Sequence, residues 1–252
     1  MELSITATLA LVGVAFFAGL VSSIAGSGGL LTLPALLWAG LPPLSALATN
    51  KLQSAMGTLS SVTNFRRHGY LHIAPLVPSL MMAFCGSMLG TLCVQRLSNE
   101  LLMRAIPLLL VLLGGYFLRA PKMDDRDYPA RLSNAQFAAT AAFGMGFYGG
   151  FFGPASGSIL PFLLVFLLGH NLVRATAESK LFVLVINSVS ALLFVISGGV
   201  VWSLAIAMGI AQIVGARIGS NLVIHRGVGL VQPLIALVTL LVALKLLFYP
   251  AA

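Results

Sequence analysis

The chain has 252 residues, of which 59% are hydrophobic and 8% charged, and its mean hydropathy is +1.02. Soluble domains carry about 25% charged residues, so this composition excludes an ordinary soluble globular protein. The net charge of +8 would suggest nucleic acid as the partner of a soluble protein. Here the basic residues lie mostly in short loops, where they orient a protein in a membrane. We therefore expect the lipid bilayer as a partner and no nucleic acid.

Apolar segments follow one another along the chain and predict an all-α, polytopic membrane protein with about 8–10 membrane segments. A polar linker, residues 120–133, separates a first membrane repeat, 1–119, from a second, 134–252. No segments of alternating polarity typical of a membrane β-barrel occur. The predicted segments are 5–24, 28–40, 51–65, 72–95, 102–119, 134–151, 157–169, 180–197, 201–222 and 230–249.

Matching residues recur at separations of 126 to 129 positions, which indicates two homologous repeats. They are Pro34 and Pro161, Lys51 and Lys180, Gly86-x-x-x-Gly90 and Gly215-x-x-x-Gly219, and Pro107 and Pro233. The two Gly-x-x-x-Gly pairs are expected to be contacts between closely packed helices. The repeat itself is typical of transporters whose halves arose by duplication.

A glycine-rich helix break occurs once in each repeat, followed in both copies by a proline. A helix over the 13 residues of segment 28–40 would extend roughly 20 Å, which is too short for a hydrocarbon core of about 30 Å. Broken or re-entrant backbone of this kind is tolerated only inside protein or beside a wet cavity. A helix beginning there would direct N–H groups and its positive dipole end at an anion, although tight packing of small residues is the alternative. The candidate binding residues are Gly26, Ser27, Gly28, Gly29, Gly153, Ala155, Ser156 and Gly157.

A lysine follows each break, Lys51 in the first repeat and Lys180 in the second. An ionised side chain within the membrane costs ~2.5–3.5 kcal/mol on insertion scales, so a duplicated lysine requires an explanation. The pair could offer positive charge to a bound anion, or each could lie at a helix end and extend into the lipid headgroups. Neutral hydrogen bonds to substrate are expected from Asn50, Gln53 and Asn187.

The acidic residues are few, with six in the chain and three of them, Asp124, Asp125 and Asp127, in the linker. Their scarcity favours an anionic or neutral substrate over a metal cation, which needs hard or imidazole ligands. Glu178 is a possible proton-coupling residue, or it forms a local ion pair with Arg174 or Lys180. The histidines lack ligand spacing, so we expect no metal, no cofactor and no enzymatic activity.

The basic loops predict the orientation of the repeats. Arg66 and Arg67 lie in one loop, whereas its counterpart at 197–199 is uncharged, and the basic linker corresponds to an uncharged C-terminal tail. A third pair of loops is undecided, because Arg96 and Arg104 are matched by Arg217 and Arg226. The two pairs that swap predict inverted repeats, a cytoplasmic linker and termini on the outer side.

Three stretches of sequence carry a resemblance to a known family: residues 24–34 (IAGSGGLLTLP), 46–53 (ALATNKLQ) and 149–158 (GGFFGPASGS). With them the chain resembles the sulfite exporter TauE/SafE family, although Ser27 stands where many relatives have a longer glycine run. The resemblance implies a multi-pass secondary transporter of the bacterial inner membrane for small sulfur-containing anions or organosulfur compounds, such as sulfite or sulfonates, with export as the expected direction and import left open. A passive anion channel, a non-transporting scaffold subunit and a homodimer are left open.

Overall fold

The computed structural model describes residues 4–119 and 129–226, and every regular element in these two ranges is helical. A 3-10 turn, Ala74–Leu76, precedes α4, and a π-helical turn, Ala138–Ala142, joins α6 to α7. The helices are α1 (Ile5–Ala25), α2 (Gly29–Trp38), α3 (Pro43–Arg67), α4 (Val77–Val94), α5 (Asn99–Arg119), α6 (Asn134–Phe137), α7 (Phe143–Phe151), α8 (Ser156–Leu168), α9 (Leu172–Ile196) and α10 (Trp202–Arg226).

The first glycine break turns the chain back on itself, so that α1 and α2 form a helical hairpin. Gly26 ends α1 with φ = 78° and donates its N–H to Ser22 O, a left-handed helix end that glycine favours. A Cβ on Gly28 would lie 2.5 Å from Ala18 O, so α2 starts directly against α1. We call residues 26–28 the first tip.

The second break forms a matching hairpin from α7 and α8. Gly153 has φ = 98° and Ala155, the residue before α8, has φ = 68°. A left-handed backbone at a non-glycine residue is uncommon and marks a locally constrained turn. We call residues 152–155 the second tip.

Helix directions follow from which residues meet. Along α3 and α10 the residue numbers rise together, since Ser60 Oγ donates to Ile213 O (3.1 Å) and Asn64 Nδ2 donates to Ser220 Oγ (2.7 Å). Along α3 and α9 they run oppositely, because Thr49 Oγ1 accepts from the N–H of Val201, beyond the end of α9 (3.1 Å), and Phe65 shares a cluster with Ala177 at its start. Helix α3 and its sequence counterpart α9 are therefore antiparallel.

The remaining pairs extend this pattern. A Cβ on Gly215 would lie 2.0 Å from Phe16 O and one on Gly219 2.4 Å from Leu20 O, so α1 is parallel to α10. Likewise a Cβ on Gly86 would lie 2.3 Å from Phe143 O and one on Gly90 2.1 Å from Phe147 O, so α4 is parallel to α7. Both Gly-x-x-x-Gly pairs are close helix contacts, as predicted.

The loops gather at two ends of the bundle. At one end the rings of His68 and His225 are 6.3 Å apart and Arg131 N–H donates to Leu167 O (2.9 Å). The exposed Arg66 and Arg67 lie at the same end, which we call the basic end. At the other end Gln95 Nε2 donates to Ser197 Oγ (3.2 Å).

The chain is a polytopic all-α membrane protein. Of the described helices, α1, α9 and the runs Ala74–Val94 and Trp202–His225 are long and apolar enough to cross a membrane, and α2 and α8 are shorter apolar helices. Large apolar side chains such as Phe84, Leu192 and Ile210 are exposed on the outside of the bundle, where lipid would contact them.

Two predicted boundaries are wrong. The segments predicted at 51–65 and 180–197 begin eight residues earlier, as α3 at Pro43 and α9 at Leu172. The polar residues just before the lysines, such as Asn50 and Glu178, are buried within these helices and do not lie in a loop. The prediction of a segment at 230–249, the pairing of Pro233, the C-terminal tail and most of the linker lie outside the described residues. The repeat boundaries and the inversion of complete repeats therefore stay predictions.

Candidate functional site

The two tips meet in the interior of the bundle. A Cβ on Gly26 would lie 1.9 Å from the carbonyl carbon and oxygen of Gly157, and one on Gly29 would lie 3.2 Å from Pro154 Cα. Ser158 Oγ donates a hydrogen bond to Ala25 O, which ties α8 to the end of α1. Only glycine permits this backbone-to-backbone approach. The duplicated breaks, separated by more than 120 positions in the sequence, thus form one constellation.

Hydrogen-bond donors remain available at this junction. The Ser27 hydroxyl is 1% exposed and has no partner within the described part of the chain. The N–H groups of Gly29 and Gly157, in the first turns of α2 and α8, are among those that helix geometry leaves without an intrahelical acceptor. Ser156, also buried, instead donates its N–H to Gly153 O (3.1 Å). The junction therefore presents a concentration of donors that suits an anion.

Both candidate lysines are buried in mid-bundle, with 1% exposure for Lys51 and 2% for Lys180. Extension into lipid headgroups, the alternative for these residues, is therefore wrong. The Lys51 ammonium donates to Gly149 O near the end of α7, and Lys180 Nζ donates to Ser22 O near the end of α1 (2.8 Å). Each lysine thus neutralises the negative end of the hairpin helix from the opposite half of the chain.

Lys51 also lies directly against the second tip. A Cβ on Gly153 would lie 2.2 Å from Lys51 Nζ, so glycine at this position makes room for the ammonium. Sequence reasoning missed the partners of the lysines, because main-chain carbonyls leave no residue-type signal. Ser22 and Gly149 occupy equivalent positions in the two repeats, 127 residues apart, and this equivalence is the only trace of the shared contact in the sequence.

Asn50 joins α3 to the first hairpin. Its Oδ1 accepts hydrogen bonds from Thr32 Oγ1 in α2 (2.5 Å) and from Gln53 Nε2 (3.1 Å). A Cβ on Gly29 would lie 3.8 Å from Asn50 Nδ2, which places the amide beside the first tip. Thr32 was not a predicted site residue, although its spacing of four residues from Gly28 puts it on the same face of α2.

Asn187 is brought less directly to the junction. It lies in α9 two helical turns after Lys180, on the same helix face, and is 8% exposed. No hydrogen bond joins it to either tip within 4–119 and 129–226. The structure therefore groups Asn50 and Gln53 with the first tip and leaves Asn187 on the adjoining wall.

Glu178 is fully buried near the basic end and accepts hydrogen bonds from two side chains. Arg174 Nε lies 2.8 Å from its Oε1 and His170 Nδ1 lies 2.6 Å from its Oε2. The local pair with Arg174 is thus present, and His170 is a partner that sequence spacing did not reveal. This carboxylate is locally neutralised, so it places no free negative charge beside the tips.

Arg174→Gln is expected to destabilise the protein more than Glu178→Gln, by about 1–3 kcal/mol. Arg174→Gln leaves the buried Glu178 carboxylate with His170 as its remaining partner. Glu178→Gln leaves the Arg174 guanidinium, which is 38% exposed and can be hydrated by water. Thermal unfolding in detergent measures the difference, and the reverse order would contradict it. A proton-coupling role for Glu178 predicts in addition an altered pH profile of transport in Glu178→Gln, and an unchanged profile rejects that role.

Comparison with known families identifies the kind of protein that carries this arrangement. The family described as "Sulfite exporter TauE/SafE" matches residues 11–246. The chain belongs to this family. The match includes both tips and both lysines.

Curated relatives agree with this assignment. The "Probable membrane transporter protein YfcA" of Escherichia coli strain K12 is 42% identical over 242 residues, covering 94% of this chain and 90% of the relative. A "Probable membrane transporter protein" of Haemophilus influenzae is 37% identical over 248 residues, covering 98% of this chain and 97% of the relative. No solved structure matches the chain significantly. Family and relatives together support a membrane transporter.

Proposed function

We propose that this protein is a secondary transporter that exports small sulfur-containing anions, such as sulfite or sulfonates, across the bacterial inner membrane. The observation that carries the proposal is the meeting of the two glycine tips, with buried Lys51 against the second tip and buried Lys180 bonded to Ser22 O just before the first. The family description, "Sulfite exporter TauE/SafE", motivates the choice of sulfur compounds. The donors themselves favour an oxyanion with several acceptor atoms.

The electrostatics of the tips favour an anion. Helices α2 and α8 both begin at the junction. A helix N-terminus stabilises a nearby negative charge by about 0.3–2 kcal/mol. Lys51 adds positive charge against Gly153 of the second tip, and Lys180 adds it at Ser22 O, four residues before the first tip. Glu178, the buried carboxylate of this region, is already paired with Arg174. A bound anion would therefore meet donors and cations rather than a competing acid.

The helix directions support an alternating-access mechanism. Helices α1, α3 and α10 run in one direction and their counterparts α7, α9 and α4 run in the other, as inverted repeats require. The two hairpins then enter the bundle from opposite ends and cross at their tips. Movement of one hairpin and its helices relative to the other would expose the junction to each side in turn.

Purified protein in liposomes tests the proposal directly. Efflux and uptake of labelled sulfite, thiosulfate, sulfoacetate and taurine are measured with and without a proton gradient, against protein-free liposomes. A saturable flux of at least one sulfur anion is expected. Flux that stays linear with concentration would indicate a passive channel, and the absence of any anion flux would indicate a scaffold subunit.

A further inference from the structure

A polar stripe runs along α3 from the tips toward the basic end. It consists of Asn50, Gln53, Gly57, Ser61 and Asn64, whose spacing of three or four residues places them on one helix face. All five residues are buried, in a helix that crosses the bundle. Burial of a polar side chain is unfavourable without hydrogen bonds, so each polar group of this stripe should have a hydrogen-bond partner.

Protein partners satisfy only part of the stripe. Ser61 Oγ lies 2.5 Å from Ser23 Oγ of α1, and Asn64 Nδ2 donates to Ser220 Oγ and Asn221 Oδ1 of α10, both at 2.7 Å. The side chain of Gln212, also in α10, fills the space beside Gly57, where a Cβ would lie 2.5 Å from Gln212 Cγ. Helices α1, α3 and α10 thus enclose a seam with a polar lining.

The buried side-chain atoms that lack a hydrogen-bond partner, within the two described ranges, concentrate on this seam. They are Ser27 Oγ at the first tip, Gln53 Oε1, Gln212 Oε1 and Asn64 Oδ1. Three of them are amide oxygens that can only accept. Unpaired buried acceptors are rare in native structures, and several in one place indicate bound water or an ion.

The equivalent seam, between α7, α9 and α4, differs in its polarity. The positions in α9 that correspond to Gln53, Gly57 and Asn64 are Phe182, Ile186 and Leu193. Ser190, which corresponds to Ser61, lies 2.7 Å from Thr91 Oγ1, and Thr91 and Ser87 lie near the carbonyls of Gly150 and Ile186. This seam is apolar or internally satisfied, and it leads toward the end opposite the basic end.

We propose that the α1–α3–α10 seam holds a chain of water molecules that connects the tips with the basic end of the protein. Water supplies the donors that the three amide oxygens lack and can also bond the Ser27 hydroxyl. The counterpart seam is dry, so this conformation admits water to the tips from the basic end. The inference rests on the proposed function only in that the same path would admit the anion.

Thiol accessibility tests the water chain. Cys85 and Cys93 are first replaced by alanine, and Ser61→Cys is compared with Ser190→Cys in nanodiscs, where both faces meet a small charged methanethiosulfonate reagent. The two serines are equivalent in the repeats, and both are buried and bonded to a second hydroxyl. We expect Ser61→Cys to react at least about 10-fold faster, because thiolate formation and reagent entry both require water.

A second pair guards against a variant that fails to fold. Gln212→Cys and its counterpart Ala83→Cys are labelled in the same way, with size-exclusion profiles and melting temperatures as checks of folding. Faster reaction at Gln212→Cys supports the water chain. Equal or slower reaction at both Ser61→Cys and Gln212→Cys overturns it. Labelling requires no transport, so this outcome is distinct from a failure of the proteoliposome assay.

Discussion

Lys51→Met is expected to reduce anion flux by about 10–100-fold, the effect of losing one charge-assisted hydrogen bond of 1.5–3 kcal/mol. The change removes the ammonium that lies against Gly153 and leaves Gly149 O without its side-chain partner. Lys180→Met should act in parallel, because Lys180 makes the equivalent contact with Ser22 O. Initial rates in liposomes, normalised to reconstituted protein, measure both variants.

Arg67→Met is the matched control for these changes, since Arg67 ends the same helix but is exposed. Its flux should stay near that of the unmodified protein. A rise in KM at constant maximal rate would assign the lysines to substrate binding, whereas a fall in maximal rate alone would assign them to the movement of the hairpins. Normal flux in both lysine variants at full expression would overturn the role of the charge pair.

Gly26→Ala should abolish transport and lower the melting temperature, because the new methyl group would occupy the position of the second hairpin. Its Cβ would lie 1.9 Å from the Gly157 carbonyl, and the φ of 78° is itself unfavourable for alanine. Backbone strain of this kind costs about 1–2 kcal/mol, and separation of the tips adds to it. Thermal unfolding and liposome flux are measured on the same preparations.

Two glycine controls separate strain from collision. Gly69→Ala has the same φ of 78° but open space around its Cβ, so it should carry the strain alone and retain transport. Gly157→Ala has no positive φ but would place its Cβ 2.7 Å from Gly26 O, so it should resemble Gly26→Ala in transport. Full transport by Gly26→Ala would show that the tips need not meet.

The helical membrane class and the two breaks could be predicted because each leaves a local signal. Apolar runs report burial in lipid or protein, and a glycine cluster followed by a proline reports a broken helix whatever surrounds it. The beginnings of α3 and α9 could not be predicted, since polar residues such as Asn50 and Glu178, which precede the two lysines, interrupt the apolar runs, and only their buried partners show that they are helical. The choice between lipid headgroups and the interior for Lys51 was likewise open, because both environments accept a long cationic side chain.

The sequence alone determined that two equivalent breaks and two equivalent lysines exist, since duplication is visible in the spacing of residues. Only the tertiary structure decided that the breaks touch and that each lysine bonds a carbonyl from the other half of the chain. It also decided that one seam has buried polar atoms without partners while its counterpart is apolar or internally hydrogen-bonded. These are contacts between residues far apart in the chain, and their energies depend on distances that no local pattern encodes.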